Sequence, residues 1–187
     1  MGMDSSNGEG VLMQYAVLSP SEGTIGKVIT ITGSDFGTKK GKVLIGDVAP
    51  KVAKGGWLPD SITCILTRVP PAGTHQVGVT PKGDVGMIHI PRDFTVKLPE
   101  IESVTSYEGV TGDSITITGK FFSTKKGKVY LQVPSGKPKT CRVKSWGMNS
   151  ITFKVPKTSR SFPAGTYPLL IINKVGPAYA PSNFTVN

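Results

Sequence analysis

Apolar residues alternate with threonine in Val28–Thr32 (VITIT) and again in Ser114–Thr118 (SITIT). A period of two marks a half-buried strand, because successive side chains point to opposite faces. This predicts that Ile29, Ile31, Ile115 and Ile117 point inward. Further strands are predicted over Lys42–Ile45 and Lys128–Leu131, and in the stretches running up to Trp57 and Trp146. After the turns Pro59-Asp60-Ser61 and Met148-Asn149-Ser150 come Ile62–Leu66 and Ile151–Val155. There Ile62, Cys64 and Leu66 share one face, as do Ile151, Phe153 and Val155, so Cys64 takes the place of Phe153 and is expected to be buried. His75–Thr80 and Tyr167–Ile172 follow Gly/Pro turns, and Phe94–Val96 and Phe184–Val186 close the pattern. Helical periodicity is missing over any stretch of about ten residues. The 15 prolines argue against long helices, since each lacks a backbone N–H.

The pattern is written twice. ITITG at Ile29–Gly33 recurs at Ile115–Gly119, and TKKGKV at Thr38–Val43 recurs at Thr124–Val129, both 86 residues on. Trp57–Thr63 recurs as Trp146–Thr152 at an offset of 89, Ala72–Thr74 as Ala164–Thr166 at 92, and Phe94–Val96 as Phe184–Val186 at 90. The order of landmarks is kept and only the gaps change, as surface loops allow. The expected organisation is therefore a disordered tail over residues 1–12, one β-sandwich over 13–97 and a second over 98–187, with a short joint at Lys97-Leu98-Pro99. About seven short strands per copy, separated by Gly, Pro, Asn and Asp turns, suggest an all-β fold of two tandem immunoglobulin-like sandwiches.

Composition sharpens this picture in two places. Net charge is +10 and uneven: residues 98–187 hold twelve bases and four acids, and no acid follows Asp113. Such a field attracts polyanions or acidic surfaces. Two cysteines, Cys64 and Cys141, stand at non-equivalent positions of the two copies, so two unpaired thiols are expected. No apolar run reaches the roughly 18 residues of a membrane-spanning helix.

The pattern G-x-x-F, V-x-[IL], W-x-x-[DN]-[ST]-I-T, A-G-T and a closing F-T-V resembles the IPT/TIG family. It is carried by Gly33–Phe36, Val43–Ile45, Trp57–Thr63, Val69-Pro70, Ala72–Thr74 and Phe94–Val96 in the first copy. In the second it is carried by Gly119–Phe122, Val129–Leu131, Trp146–Thr152, Val155-Pro156, Ala164–Thr166 and Phe184–Val186. The spacing is nearest the bacterial extracellular kind. The resemblance implies a non-enzymatic cell-surface or secreted module, acting as a spacer, adhesive or docking unit toward another protein or cell-envelope component. It brings no catalytic residues and no cofactor.

Candidate chemistry is sparse. His75 is matched by Tyr167, which predicts no role common to both copies. No C-x-x-C, H-E-x-x-H or G-x-S-x-G is present, and no acid is repeated where a calcium loop would need it. TKKGKV reads as a hairpin turn with Gly41 and Gly127 at positive φ, displaying Lys39, Lys40, Lys42, Lys125, Lys126 and Lys128. As a basic loop displayed twice it is a candidate contact for an anionic partner, either nucleic acid or acidic polysaccharide, and with Lys137, Lys139, Arg142, Lys144 and Lys154 it makes a candidate stripe on the second domain. Trp57 and Trp146, at the same repeat position, read first as packing residues and alternatively as an aromatic platform for a sugar ring.

Overall fold

The computed structural model describes residues 16–83, 86–134 and 136–187. The tail expected over residues 1–12 lies outside them. The chain divides into two compact units whose main parts are residues 28–95 and 96–187, and every strand predicted above is present.

The first domain holds β1 (Val17–Ser19), β2 (Glu22–Gly23), β3 (Val28–Thr32), β4 (Lys42–Ile45), β5 (Lys51–Trp57), β6 (Ser61–Ile65), β7 (Gly73–Thr80) and β8 (Ile88–Val96). They form two four-stranded sheets, in the orders β1-β3-β6-β5 and β2-β8-β7-β4. Alternation does what it should. In β3, Ile29 and Ile31 are buried, and in β6 so are Ile62 and Cys64, with Ile29 opposite Cys64 and Ile31 opposite Ile62. Val43, Ile45, Val77 and Val79 supply the facing layer, and Phe36, Phe94 and Leu66 fill the space between the sheets. Each such side chain contributes about 1.5–3 kcal/mol by leaving water.

The second domain holds β9 (Glu100–Val104), β10 (Glu108–Gly109), β11 (Ser114–Lys120), β12 (Lys128–Leu131), β13 (Lys139–Trp146), β14 (Ser150–Lys154), β15 (Gly165–Tyr167), β16 (Leu169–Ile172), β17 (Pro177–Tyr179) and β18 (Phe184–Val186). One sheet runs β10-β18-β15 and the other β17-β16-β12-β13-β14-β11-β9. Ile115, Ile117, Val129, Leu131, Ile151, Phe153, Leu169, Ile171 and Phe184 are buried in one core. Phe153 meets Phe184 edge-on, with centroids 6.1 Å apart. This is the packing that Cys64 forgoes in the first copy.

The sequence pattern misses five short elements, β1, β2, β9, β10 and β17. β2 and β10 have two residues each, too few for any periodicity. β10 runs parallel to β18, and its place is set by that partner and not by its own side chains. The stretch Tyr167–Ile172 divides at Pro168 into β15 and β16, since proline has no N–H for a ladder.

Candidate functional site

The residues shared by both copies are used to close each sandwich. In the loop after β3, Gly33 N–H donates to Asp60 O (2.9 Å) and Phe36 N–H to Pro59 O (3.0 Å). At the end of β11 Gly119 N–H donates to Asn149 O, and in the loop after it Phe122 N–H donates to Met148 O, both at 3.0 Å. The turn after each tryptophan thus supplies the acceptors for the G-x-x-F loop. Those loops carry left-handed backbone at non-glycine residues: φ is 62° at Asp35, 59° at Phe121 and 72° at Ser123, with Gly37 at 71° in the slot equivalent to Ser123. This conformation presents two successive carbonyls to one donor. Trp57 Nε1–H reaches Phe36 O (3.1 Å) and Gly37 O (3.2 Å). Trp146 Nε1–H reaches Phe122 O (3.2 Å) and Ser123 O (3.0 Å).

These bonds decide the role of the tryptophans. Trp57 is buried, and its indole offers no face to a ligand. Trp146 is half-buried, packed on the core beside Phe122 at a centroid distance of 6.5 Å. An aromatic platform at Trp57 is therefore corrected to a packing residue. The cause is the buried N–H, which needs a partner and finds it in its own loop.

The glycines of TKKGKV also need correction. Neither Gly41 nor Gly127 has positive φ. A Cβ on Gly41 would run into the Thr80 carbonyl, and one on Gly127 into the Ile172 carbonyl and the Trp146 ring. Glycine is required there by the close passage of the neighbouring strand, not by the turn.

His75 brings a third correction. Its ring Nε2–H donates to Pro71 O (2.8 Å), and the equivalent Tyr167 hydroxyl donates to Pro163 O (2.7 Å). Different side chains perform one task in both copies, tying a strand to the turn four residues before it. Letter-by-letter matching hides this, since the shared property is a ring-borne donor of similar reach.

Both cysteines are buried and unpaired. Burial pushes the Cys64 thiol up to about 11, with Lys40 offsetting part of the effect, and the Cys141 thiol up to about 12, with Lys139 offsetting part. Each stays protonated at neutral pH and is a poor nucleophile. Among the described residues, no group of three or more His, Cys, Asp or Glu is placed to hold a metal ion.

Lys39, Lys40, Lys42, Lys125, Lys126 and Lys128 are all exposed. Lys126 and Lys128 join Tyr130, Ile172, Asn173 and Lys174 around an open cleft of about 450 Å³. Lys137 and Lys139 line another of about 590 Å³ with Val133, Pro138, Ser161 and Phe162. Lys139 Nζ stands 5.4 Å from the Phe162 ring centroid. Arg142 sits opposite Lys154 in the β13–β14 ladder, but Lys154 Nζ is occupied by Gly112 O at 2.6 Å. Lys144 falls at the bulge between Val143 and Ser145. Two clefts thus hold Lys126, Lys128, Lys137 and Lys139, and the β13–β14 ladder holds Arg142, Lys144 and Lys154, while Lys39, Lys40, Lys42 and Lys125 line neither cleft.

Sequence reasoning passed over Tyr130 and Tyr179, which the structure brings to one face. Tyr130 pairs with Leu170, and Leu170 with Tyr179, across β12-β16-β17. The V-Y-L alternation of β12 was a signal for Tyr130. Nothing local announces β17.

The family model described as IPT/TIG domain matches residues 16–96 and again 99–186. No curated protein matches the chain. Among solved structures, the full extracellular region of plexin A4 aligns at 15% identity over 91% of this chain and 18% of that one, with a TM-score of 0.46. The surface glycan-binding protein PbSGBP-B from Prevotella bryantii aligns at 18% identity over 97% of this chain and 40% of that one, with a TM-score of 0.44. SGBP-B from a complex xyloglucan utilization locus in Bacteroides uniformis aligns at 18% identity over 92% and 49%, with a TM-score of 0.39. The chain spans less than half the length of each. Two successive matches cover nearly all the described residues, and each falls on a complete sandwich with its own latched tryptophan: the chain belongs to the IPT/TIG domain family.

Proposed function

We propose that the chain is a non-enzymatic module of an extracellular or cell-surface protein, acting as a structural spacer, with domains over residues 13–97 and 98–187. One observation carries this reading. The landmarks common to both copies, G-x-x-F, the tryptophan, the turn that follows it and the ring-borne donor at His75 and Tyr167, are all consumed in closing each copy's own sandwich. A reaction centre would have to be built from residues that differ between the copies, and the buried thiols are not activated for one. No helix among the described residues is long and apolar enough to cross a membrane.

The test is a display experiment. The chain is placed between a surface anchor and a reporter epitope, and antibody access to the reporter is measured. A spacer keeps access unchanged when exposed lysines are replaced by glutamine, and loses it when Phe36→Ala and Phe122→Ala together unfold the sandwiches. Access that depends on the exposed lysines would overturn the spacer reading.

A further inference from the structure

The outer face of β12-β16-β17 differs between the copies in a way that concerns binding. Along β16, Leu169 and Ile171 belong to the core cluster of the second domain and Leu170 does not. Leu170 therefore points away from the core, yet it is only 4% exposed. Its direct cross-strand neighbours on that outer face are Tyr130 and Tyr179, and pairs in such register have side chains on the same side. Tyr179 is 62% exposed, and Ile172, the next outward residue of β16, is 38% exposed. The two tyrosines thus flank a covered Leu170, and Ile172 supplies exposed apolar surface beside them. They stand two strands apart, so their attachment points are about 9–10 Å from one another.

Cations border this face. Lys126, Lys128 and Lys174 share the adjoining cleft with Tyr130 and Ile172; all three lysines are exposed, and Lys126 Nζ also reaches Val143 O at 3.3 Å. Residues 114–187 contain no acid to neutralise them. In the first copy the lysines recur as Lys40, Lys42 and Lys82, but the rings do not: Leu44 stands opposite Gly78, and the Met87 sulfur lies over that glycine. Charge is common to the two copies, and the aromatic pair belongs to the second alone.

We propose that this face of the second domain binds an acidic polysaccharide, one carrying carboxylate or sulfate groups along a chain of pyranose rings. The apolar C–H face of a sugar ring stacks on a phenol, whose hydroxyl remains available to the sugar's own hydroxyls. The spacing between the attachment points of the two rings is that of two neighbouring strand intervals, about 9–10 Å. It is wide for successive stacked bases, which sit in direct contact. Lysines, as flexible point charges, suit scattered carboxylates and sulfates better than the bidentate recognition of which arginine is capable.

The proposal is tested with the full chain and two defined probes, polygalacturonate and chondroitin sulfate, in a surface-binding assay at low salt, with neutral dextran and single-stranded DNA as comparators. Saturable binding of at least one acidic polymer is expected. It should weaken roughly tenfold or more between 50 and 200 mM salt if three lysines contribute. Tyr179→Ala should weaken binding about tenfold, and the pair Lys128→Ala and Lys174→Ala by a comparable factor. The first-copy pair Lys42→Ala and Lys82→Ala should change it by less than about twofold. Unaltered thermal unfolding of each variant verifies folding, and Tyr179→Phe, which keeps the ring, should retain most of the affinity. The proposal falls if neither polymer binds, if the first-copy lysines matter as much as the second-copy ones, or if single-stranded DNA binds as tightly with the same dependence on Tyr179. None of these results touches the spacer reading, which the reporter assay tests separately.

Discussion

The two copies solve one architectural problem with different amounts of continuity. In the first domain β7 is a single strand of eight residues, while its counterpart in the second is cut at Pro168 into β15 and β16. Proline keeps its carbonyl, so Pro168 O still accepts from Gln132 N–H (2.9 Å), as Gln76 O does from Gly46 N–H (2.8 Å). Only the donor is lost. The second domain recovers continuity elsewhere. β13 pairs with β12 through residues 139–141 and with β14 through residues 142–146, joining what are separate sheets in the first copy. Three extra residues between Val129 and Trp146 accompany that change. Insertions fall where the copies share no core contact, and shared residues fall where each sandwich closes.

The strongest way to break this comparison is to empty one core and watch the other. Phe36 and Phe122 are fully buried at equivalent positions. Phe36→Ala should cost the first domain about 3–5 kcal/mol and Phe122→Ala the second by a similar amount. In calorimetry each substitution should lower one transition and leave the other in place. A joint collapse would show that the copies do not fold as separate units.

Next in size are the glycines of the repeated lysine loop. Gly41→Ala and Gly127→Ala should each destabilise their own domain by about 1–3 kcal/mol, because a methyl group must push back a strand carbonyl. Gly127→Ala should be the worse of the two, as it also meets the Trp146 ring. Urea midpoints would rank them, and a neutral result at both would restore the simple turn.

The thiols give a smaller effect that separates the copies by pH. Unfolded, each ionises near 9.0, whereas folding pushes Cys64 to about 11 and Cys141 to about 12. The unfolded chain therefore loses its proton first. The contribution is whole below pH 9 and declines as pH rises toward the folded values, by roughly 1.4 kcal/mol per pH unit per thiol. Urea unfolding at pH 8 and pH 10 should show the loss, and Cys64→Ala should flatten it in the first domain only.

The smallest change is Ser123→Gly. It relieves left-handed backbone worth about 1 kcal/mol and removes a hydroxyl bond to Lys125 O (2.9 Å) worth about the same. The net shift should stay within about 0.5 kcal/mol, and a large loss would mark the hydroxyl as essential to the loop.

How much of this was legible follows from what each feature depends on. The burial of Ile29, Ile31 and Cys64 needed only alternation and a second copy for alignment, because parity fixes a face. The role of Gly41 was misread because close passage of Thr80 is a contact between strands far apart in sequence. The shared task of His75 and Tyr167 was hidden because it resides in a bond to a carbonyl, and any residue type has a carbonyl. The face holding Tyr130 and Tyr179 was missed because it needs β17, whose place depends on pairing with β16.

The latched indoles have a practical consequence. The chain has two tryptophans, one seated in each sandwich, and each loses its two carbonyl partners only when its own loop opens. Replacing one or the other by phenylalanine would leave a single indole, so steady-state fluorescence excited beyond the tyrosine band could follow the melting of either half of the molecule with no dye attached.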